Sequence, residues 1–117
     1  MSDELVRRIK TAPDSISFQE VIDHIEENYQ YSPTSFTNGK GKDMTFNDVG
    51  SNEGSCKIFS FARLNGLTAP QTLACFGDYY RKDVLQNPDG SDHANIRNFM
   101  KYGWDGIVFK SFALRAK

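Results

Sequence analysis

The segment from Ser17 to Tyr29 leaves the chain little conformational choice. Ser17 can serve as a helix N-cap, and Glu20 three residues on completes a capping box. Ile16 and Val21 flank the cap as a hydrophobic staple that fixes how the backbone enters the helix. Phe18, Val21, Ile22, Ile25 and Tyr29 then recur at i, i+3, i+4, i+7 and i+11, the spacing of one buried stripe. Ser32-Pro33 sets the far limit, because proline drives the preceding residue out of helical geometry. The pattern predicts a helix over about 18–29 that must lay one face on a partner layer.

Similar punctuation divides the rest of the chain. Residues 3–12 form a short helix with Leu5, Val6 and Ile9 on one side, ended by Pro13. Ser55 caps a helix from 56 to about 65 closed by Gly66, with Ile58, Phe59, Phe61, Ala62 and Leu64 around most of its circumference. Thr68 and Gln71 make a second capping box. The helix they open turns Leu73, Phe76, Tyr80 and Val84 inward until the turn Asn87-Pro88-Asp89-Gly90. Ser91 or Asp92 caps a further helix with Ile96, Phe99 and Met100 on its apolar side, ended by Gly103. Short extended pieces are expected near 34–37, 45–49, 107–109 and 112–115, the first two about the glycine-rich loop Asn38–Asp43. That loop lacks the Gly-Lys-Ser/Thr ending of a phosphate-binding loop, so a solvated turn is the expectation. The fold class is α+β: one domain over residues 1–117, predominantly helical with about five helices and a small sheet of short strands.

Composition narrows the function classes. Residues 1–60 hold six Lys/Arg against ten Asp/Glu (net −4) and residues 61–117 hold eight against five (net +3). That mild polarity is not the basic footprint of a nucleic-acid binder. No apolar run reaches the 18 or more residues needed to span a bilayer, so no membrane partner is expected. The two cysteines, Cys56 and Cys75, do not form a CxxC pair, and buried free thiols in a reducing compartment are the expectation. Nothing in the spacing calls for a cofactor.

Candidate chemistry gathers in Phe76–Phe109, which mixes Tyr79, Tyr80, His93 and the lone Trp104 with arginines, lysines and acids. Four of its residues, Tyr79, Arg81, His93 and Arg97, are candidates for a ligand site reached from two successive helices. Turned inward, the two arginines either pair with Asp78, Asp83 or Asp92, or clamp an anion bidentately. A weaker catalytic candidate is Cys56 at a helix start with His93 as base and Asp92, Asn95 or Asp89 as orienting group. Asp89, Asp92 and His93, with Glu53, also have metal-ligand chemistry, but an Asp-Gly turn and an Asp cap account for the acids without a metal. Trp104, between Gly103 and Gly106, reads as a core plug whose indole N–H bonds backbone.

Several strings in order carry a family resemblance: Phe36-x-Asn38-Gly39, Gly54-Ser55-Cys56-Lys57, Phe76-Gly77-Asp78-Tyr79-Tyr80-Arg81 and Asp83-Val84-Leu85. They are followed by Pro88-Asp89-Gly90-x-Asp92-His93-x-Asn95-Ile96-Arg97 and Gly103-Trp104-x-Gly106. Over roughly residues 16–115 the chain resembles the HopJ type III effector family. The resemblance implies a shared fold and, by name, type III secretion; it carries no catalytic residues. Such export is associated with a pliable Ser-rich leader, whereas folded-looking sequence starts here at Asp3 or Glu4, so a cytoplasmic location is expected. The expected function is non-enzymatic binding of a protein partner or a small anion. The alternatives are a cofactor-free cysteine enzyme using Cys56 and His93, and a structural or interaction module without a pocket.

Overall fold

The computed structural model describes residues 2–117, with side chains from Glu4 onward. Among the described residues five α-helices alternate with five short strands: α1 Ser2–Thr11, α2 Phe18–Asn28, β1 Tyr29–Tyr31, β2 Phe36–Asn38, β3 Thr45–Asn47, α3 Glu53–Leu64, α4 Ala69–Ala74, α5 Ala94–Tyr102, β4 Val108–Phe109 and β5 Leu114–Ala116. A π-helical turn, Tyr79–Val84, lies between α4 and α5. The strands form two antiparallel sheets rather than one: β1 pairs with β5, and β3, β2 and β4 lie in that order. The α+β class therefore holds, and the helix count with it. No helix among the described residues is long and apolar enough to cross a membrane.

The capping boxes form as their sequences dictate. Glu20 N donates to Ser17 Oγ at 3.2 Å and Ser17 N to Glu20 Oε2 at 2.8 Å. Thr68 and Gln71 repeat the exchange at 3.3 and 2.9 Å. Ile16, Val21 and Ile25 are fully buried, as the staple and stripe require. α3 crosses the centre, with Ile58, Phe59, Phe61 and Ala62 sealed from solvent. Phe59 is the aromatic hub: its ring centroid lies 5.0 Å from Phe99, 5.4 Å from Phe76, 6.1 Å from Phe36 and 6.3 Å from Trp104. Edge-on and tilted rings at these spacings each add about 1 kcal/mol beyond their burial. The Trp104 plug is in place, its indole N–H donating to the Leu67 carbonyl at 3.1 Å.

Four local expectations need correction. α3 starts at Glu53, not 56, with Asn52 as N-cap in the left-handed region (φ 51°); Cys56 therefore lies a turn inside the helix. α5 has His93, not Ser91 or Asp92, at its N-cap (φ 52°), and Asp92 pairs with Arg97 instead. The single helix expected from Thr68 to about 86 is broken after Ala74. Outward-facing Leu64 and Met100 were expected inside but are 51% and 43% exposed.

Gly77 explains the break. Its φ of +59° ends α4, and a Cβ there would lie 2.7 Å from Phe18 N and 3.3 Å from Ser17 Cα. The absence of a side chain lets the chain after α4 press onto the N-terminus of α2. Arg81 locks the same contact by donating to the Ile16 carbonyl at 2.7 Å and the Pro13 carbonyl at 3.4 Å. Gly77→Ala adds left-handed strain to a backbone clash and is expected to cost about 3 kcal/mol, read as a lower urea midpoint at unchanged slope. A loss under about 0.5 kcal/mol would mean the two segments are not in contact.

Candidate functional site

Four asparagines organise the region where β2, β3, α3 and α5 meet. Asn38 and Asn47 are fully buried and Asn95 is 6% exposed. Asn47 and Asn95 exchange amide bonds: Asn95 Nδ2 donates to Asn47 Oδ1 at 2.9 Å, and Asn47 Nδ2 to Asn95 Oδ1 at 3.2 Å. Asn38 Nδ2 donates to Asn95 Oδ1 at 3.0 Å and to its carbonyl at 2.8 Å. Asn52 Nδ2 completes the set by donating to Asn47 Oδ1 at 2.7 Å. Asn47 therefore ties the N-cap of α3 to the first turn of α5. A neighbouring amide, Asn98, clamps the β2–β3 loop through the carbonyls of Asn38 and Asp43 at 3.1 and 2.8 Å.

The network brings two helix N-termini to one cleft of ≈ 300 Å³. Asn52 and Ser55 from α3 line it, with Ala94, Asn95 and Ile96 from α5. The first intrahelical amides are Cys56 N to Asn52 O at 3.0 Å and Arg97 N to His93 O at 3.1 Å. The three amides before each have no partner within their own helix, and neither N-cap side chain bonds them. Asn52 and His93 are the two non-glycine residues with positive φ among the described residues, and both line this cleft. Asn and His tolerate that region better than most residues, at about 1–3 kcal/mol of local strain.

Two of the four expected ligand-site residues meet here. Tyr79 and His93 both line the cleft, their rings 5.4 Å apart, and Tyr79 also packs edge-on with Phe18 at 5.1 Å. His93 Nε2 lies 3.1 Å from Asp83 Oδ2, so Asp83 rather than Tyr79 is its partner. Arg81 faces away, its guanidinium taken by the Pro13 and Ile16 carbonyls. It borders a larger, shallower hollow of ≈ 480 Å³ that also carries Asp78 and Asp83, a poor setting for an anion.

Arg97 is equally engaged. Its Nε donates to the Asp92 carbonyl at 2.6 Å, Nη1 to the Asn87 carbonyl at 2.9 Å, and Nη2 to Asp92 Oδ1 at 2.7 Å. Gly90 passes so close that a Cβ there would sit 2.6 Å from Nη2. Arg97 is the staple of the 87–92 loop, which delivers His93 to the cleft.

Cys56 and His93 have separate environments. The Cys56 side chain is 1% exposed and its Sγ faces the Thr34 carbonyl at 4.0 Å. Burial pushes its thiol up, against smaller lowering contributions from Thr34, Tyr31 and Ser60. Burial first, then Glu53 and Cys56 beside it, push the Tyr31 phenol well above its usual value, which places Glu53 next to Tyr31. Cys75 is fully buried and burial raises its thiol to about 12. Asp92, Asp83 and Glu53 thus each have a neighbour of their own, and no cluster of three or more metal-binding side chains occurs among the described residues.

The HopJ type III effector protein family model matches residues 2–114. The chain belongs to the HopJ family. A solved structure described as that of the unknown-function protein VPA0580 is 48% identical, superposes with a TM-score of 0.93, and covers 98% of this chain and 92% of its own. No curated protein matches. The HopJ strings fall on the features just described: Asn38, Ser55, Gly77, Tyr79, His93, Asn95 and Arg97 all belong to them. Asn47 and Asn52, which lie between the quoted strings, complete the site. The sequence signal for them was weak, since Asn in 47–52 reads as turn chemistry.

Two outcomes follow from this geometry. Asn47→Ala strips the acceptor from the buried Asn95 amide and is expected to cost about 3 kcal/mol, with the Ser55 and Asn95 backbone amides shifting together in NMR spectra. The Arg97 hydrogen bond, chiefly, holds the Asp92 carboxyl below its ordinary value. A depressed folded-state pKa contributes stability above the unfolded value, about 3.9, and loses it as pH falls through the lowered one. Order in the 87–92 loop should therefore fall below about pH 4, measured by amide relaxation, and that step should vanish in Asp92→Asn.

Proposed function

We propose that this HopJ-family protein is a non-enzymatic binder of a small organic anion, held in the cleft between the N-termini of α3 and α5. The observation that carries the reading is the convergence of those two helix starts on one concave surface. α3 runs 12 residues and α5 nine, long enough for their dipoles to leave partial positive charge at the N-termini. Unpartnered first-turn amides and that partial charge together make a site for a phosphate, sulfate or carboxylate group. Ser55, Thr45 and His93 offer side-chain bonds around it, and Phe18, Phe76 and Tyr79 give an apolar wall for the rest of the molecule.

Two further observations support binding over catalysis. The Cys56 thiol is sealed in the core with its pKa pushed up, so it is a poor nucleophile. His93 Nε2 lies 3.1 Å from Asp83 Oδ2 and is engaged with that carboxylate rather than with a nucleophile. The cleft volume stands at the lower end of the ~300–1,000 Å³ range of small-molecule sites, which favours a compact ligand over a peptide.

Thermal unfolding with a panel of small phosphates, sulfates and carboxylates tests the reading, with chloride at matched ionic strength as control. An anion at 100 times its dissociation constant adds about 2.7 kcal/mol, or about 10 °C for a domain of this size. Ser55→Pro places a ring where one of the three free amides stands while proline remains acceptable in a first helical turn. It should abolish the shift while the unliganded midpoint stays within a few degrees. Stabilisation that survives the change, or that chloride reproduces, would contradict the site.

A further inference from the structure

A second groove lies along the C-terminal half of α3, apart from the cleft at its start. Ser60, Arg63 and Leu64 fall at i, i+3 and i+4 of that helix and so share one side. The segment from Phe109 to Leu114, which joins β4 to β5, forms the facing wall and encloses ≈ 250 Å³. Phe112 is 79% exposed and Leu64 51% exposed on its rim, while Ala113 and Leu114 at its base are nearly sealed. The lining holds two cations, Arg63 and Lys110, and no carboxylate.

Arg63 differs from Arg81 and Arg97. Its guanidinium rests over the Trp104 ring at 5.0 Å and the Phe109 ring at 5.7 Å. It makes one long bond, to the Ile107 carbonyl at 3.4 Å. Stacking on two rings fixes the plane of the fork and leaves donors for a planar carboxylate. An independent feature points the same way. Ser60 is 7% exposed and lines the groove, and its buried hydroxyl makes no bond to nitrogen or oxygen, its polar neighbour being the Cys56 thiol. Sulfur is a weak acceptor, so a ligand oxygen that accepts from this hydroxyl improves on its present neighbour.

We infer that this groove binds a small amphiphilic monocarboxylate, its apolar body on Leu64, Phe112 and Leu114 and its head between Arg63 and Lys110. The commitment to a carboxylate rests on charge complementarity, two cations with no acid in the lining. The commitment to a short apolar body rests on the volume of ≈ 250 Å³, which suits a chain of a few carbons.

The full-length protein titrated with octanoate, octanol and octylammonium, followed by amide NMR below micellar concentrations, tests the inference. Octanoate should shift the amides of residues 60–64 and 109–114 and bind at least ten-fold tighter than octanol, with octylammonium weakest. Arg63→Gln should bring octanoate down to the affinity of octanol and leave octanol unchanged. If that variant fails to give a folded spectrum, Lys110→Gln should reduce the same preference. Equal binding of the acid and the alcohol, no shift up to the solubility limit, or an octanoate affinity indifferent to both substitutions would overturn the inference. Shifts confined to Ser55 and Asn95 would assign the carboxylate to the first cleft and overturn it as well.

Discussion

The reciprocal amide pair between Asn47 and Asn95 is the constraint on which both fold and site depend. Each side chain gives and accepts with the other, and each also has a further partner, Asn52 for Asn47 and Asn38 for Asn95. Such a network is rigid where its bonds are made and costly to break, because the interior gives an abandoned amide no water to turn to; the Asn38 Oδ1 atom is the buried amide atom in it without a partner. It joins strands of the three-stranded sheet to the starts of two helices. Those starts would otherwise be set only by nonspecific packing around Phe59, which fixes spacing but not azimuth. The asparagines fix the azimuth, and with it the pair of amide-lined ends that face one cleft.

The polar-aromatic segment from Phe76 to Phe109 divides into two kinds of work. Arg81 and Arg97 spend their donors on backbone carbonyls, which makes them fasteners of the 13–16 and 87–92 loops. Tyr79 and His93 are what those fasteners hold in place. Burying a guanidinium without a partner would be costly, so an arginine beside unpaired carbonyls in a crowded loop is drawn to them rather than to a vacant pocket. The cleft is consequently framed by two helix ends and a histidine, with neither arginine in its lining.

Local chemistry in the sequence was enough for the elements whose signals are local. The Ser17–Glu20 and Thr68–Gln71 boxes, the Ile16–Val21 staple and the Trp104 plug all rest on residues within a few positions or on a single bulky side chain. The misreadings arose where a neighbour far along the chain decides. Helix α3 begins at Glu53 because Asn47 holds the side chain of its N-cap, Asn52, which accepts a left-handed backbone without a capping bond. The stretch after Ala74 breaks because Gly77 must admit the backbone of Ser17 and Phe18. The asparagine network spans up to 57 positions between partners, and no periodicity records such a separation. Of the candidate site, Tyr79 and His93 could be read from residue type; the two helix starts that frame it could not, because both lie at other residues than the local capping patterns indicate.

The central claim, that Asn47 and Asn95 hold two helix N-termini around one anion site, is tested most directly by amide NMR with inorganic phosphate. Phosphate should shift the backbone amides of residues 53–55 and 94–96 along a single common isotherm, and in Asn47→Ala the two groups should lose that shared affinity. Separate isotherms for the two helices, or shifts outside both first turns, would contradict the claim.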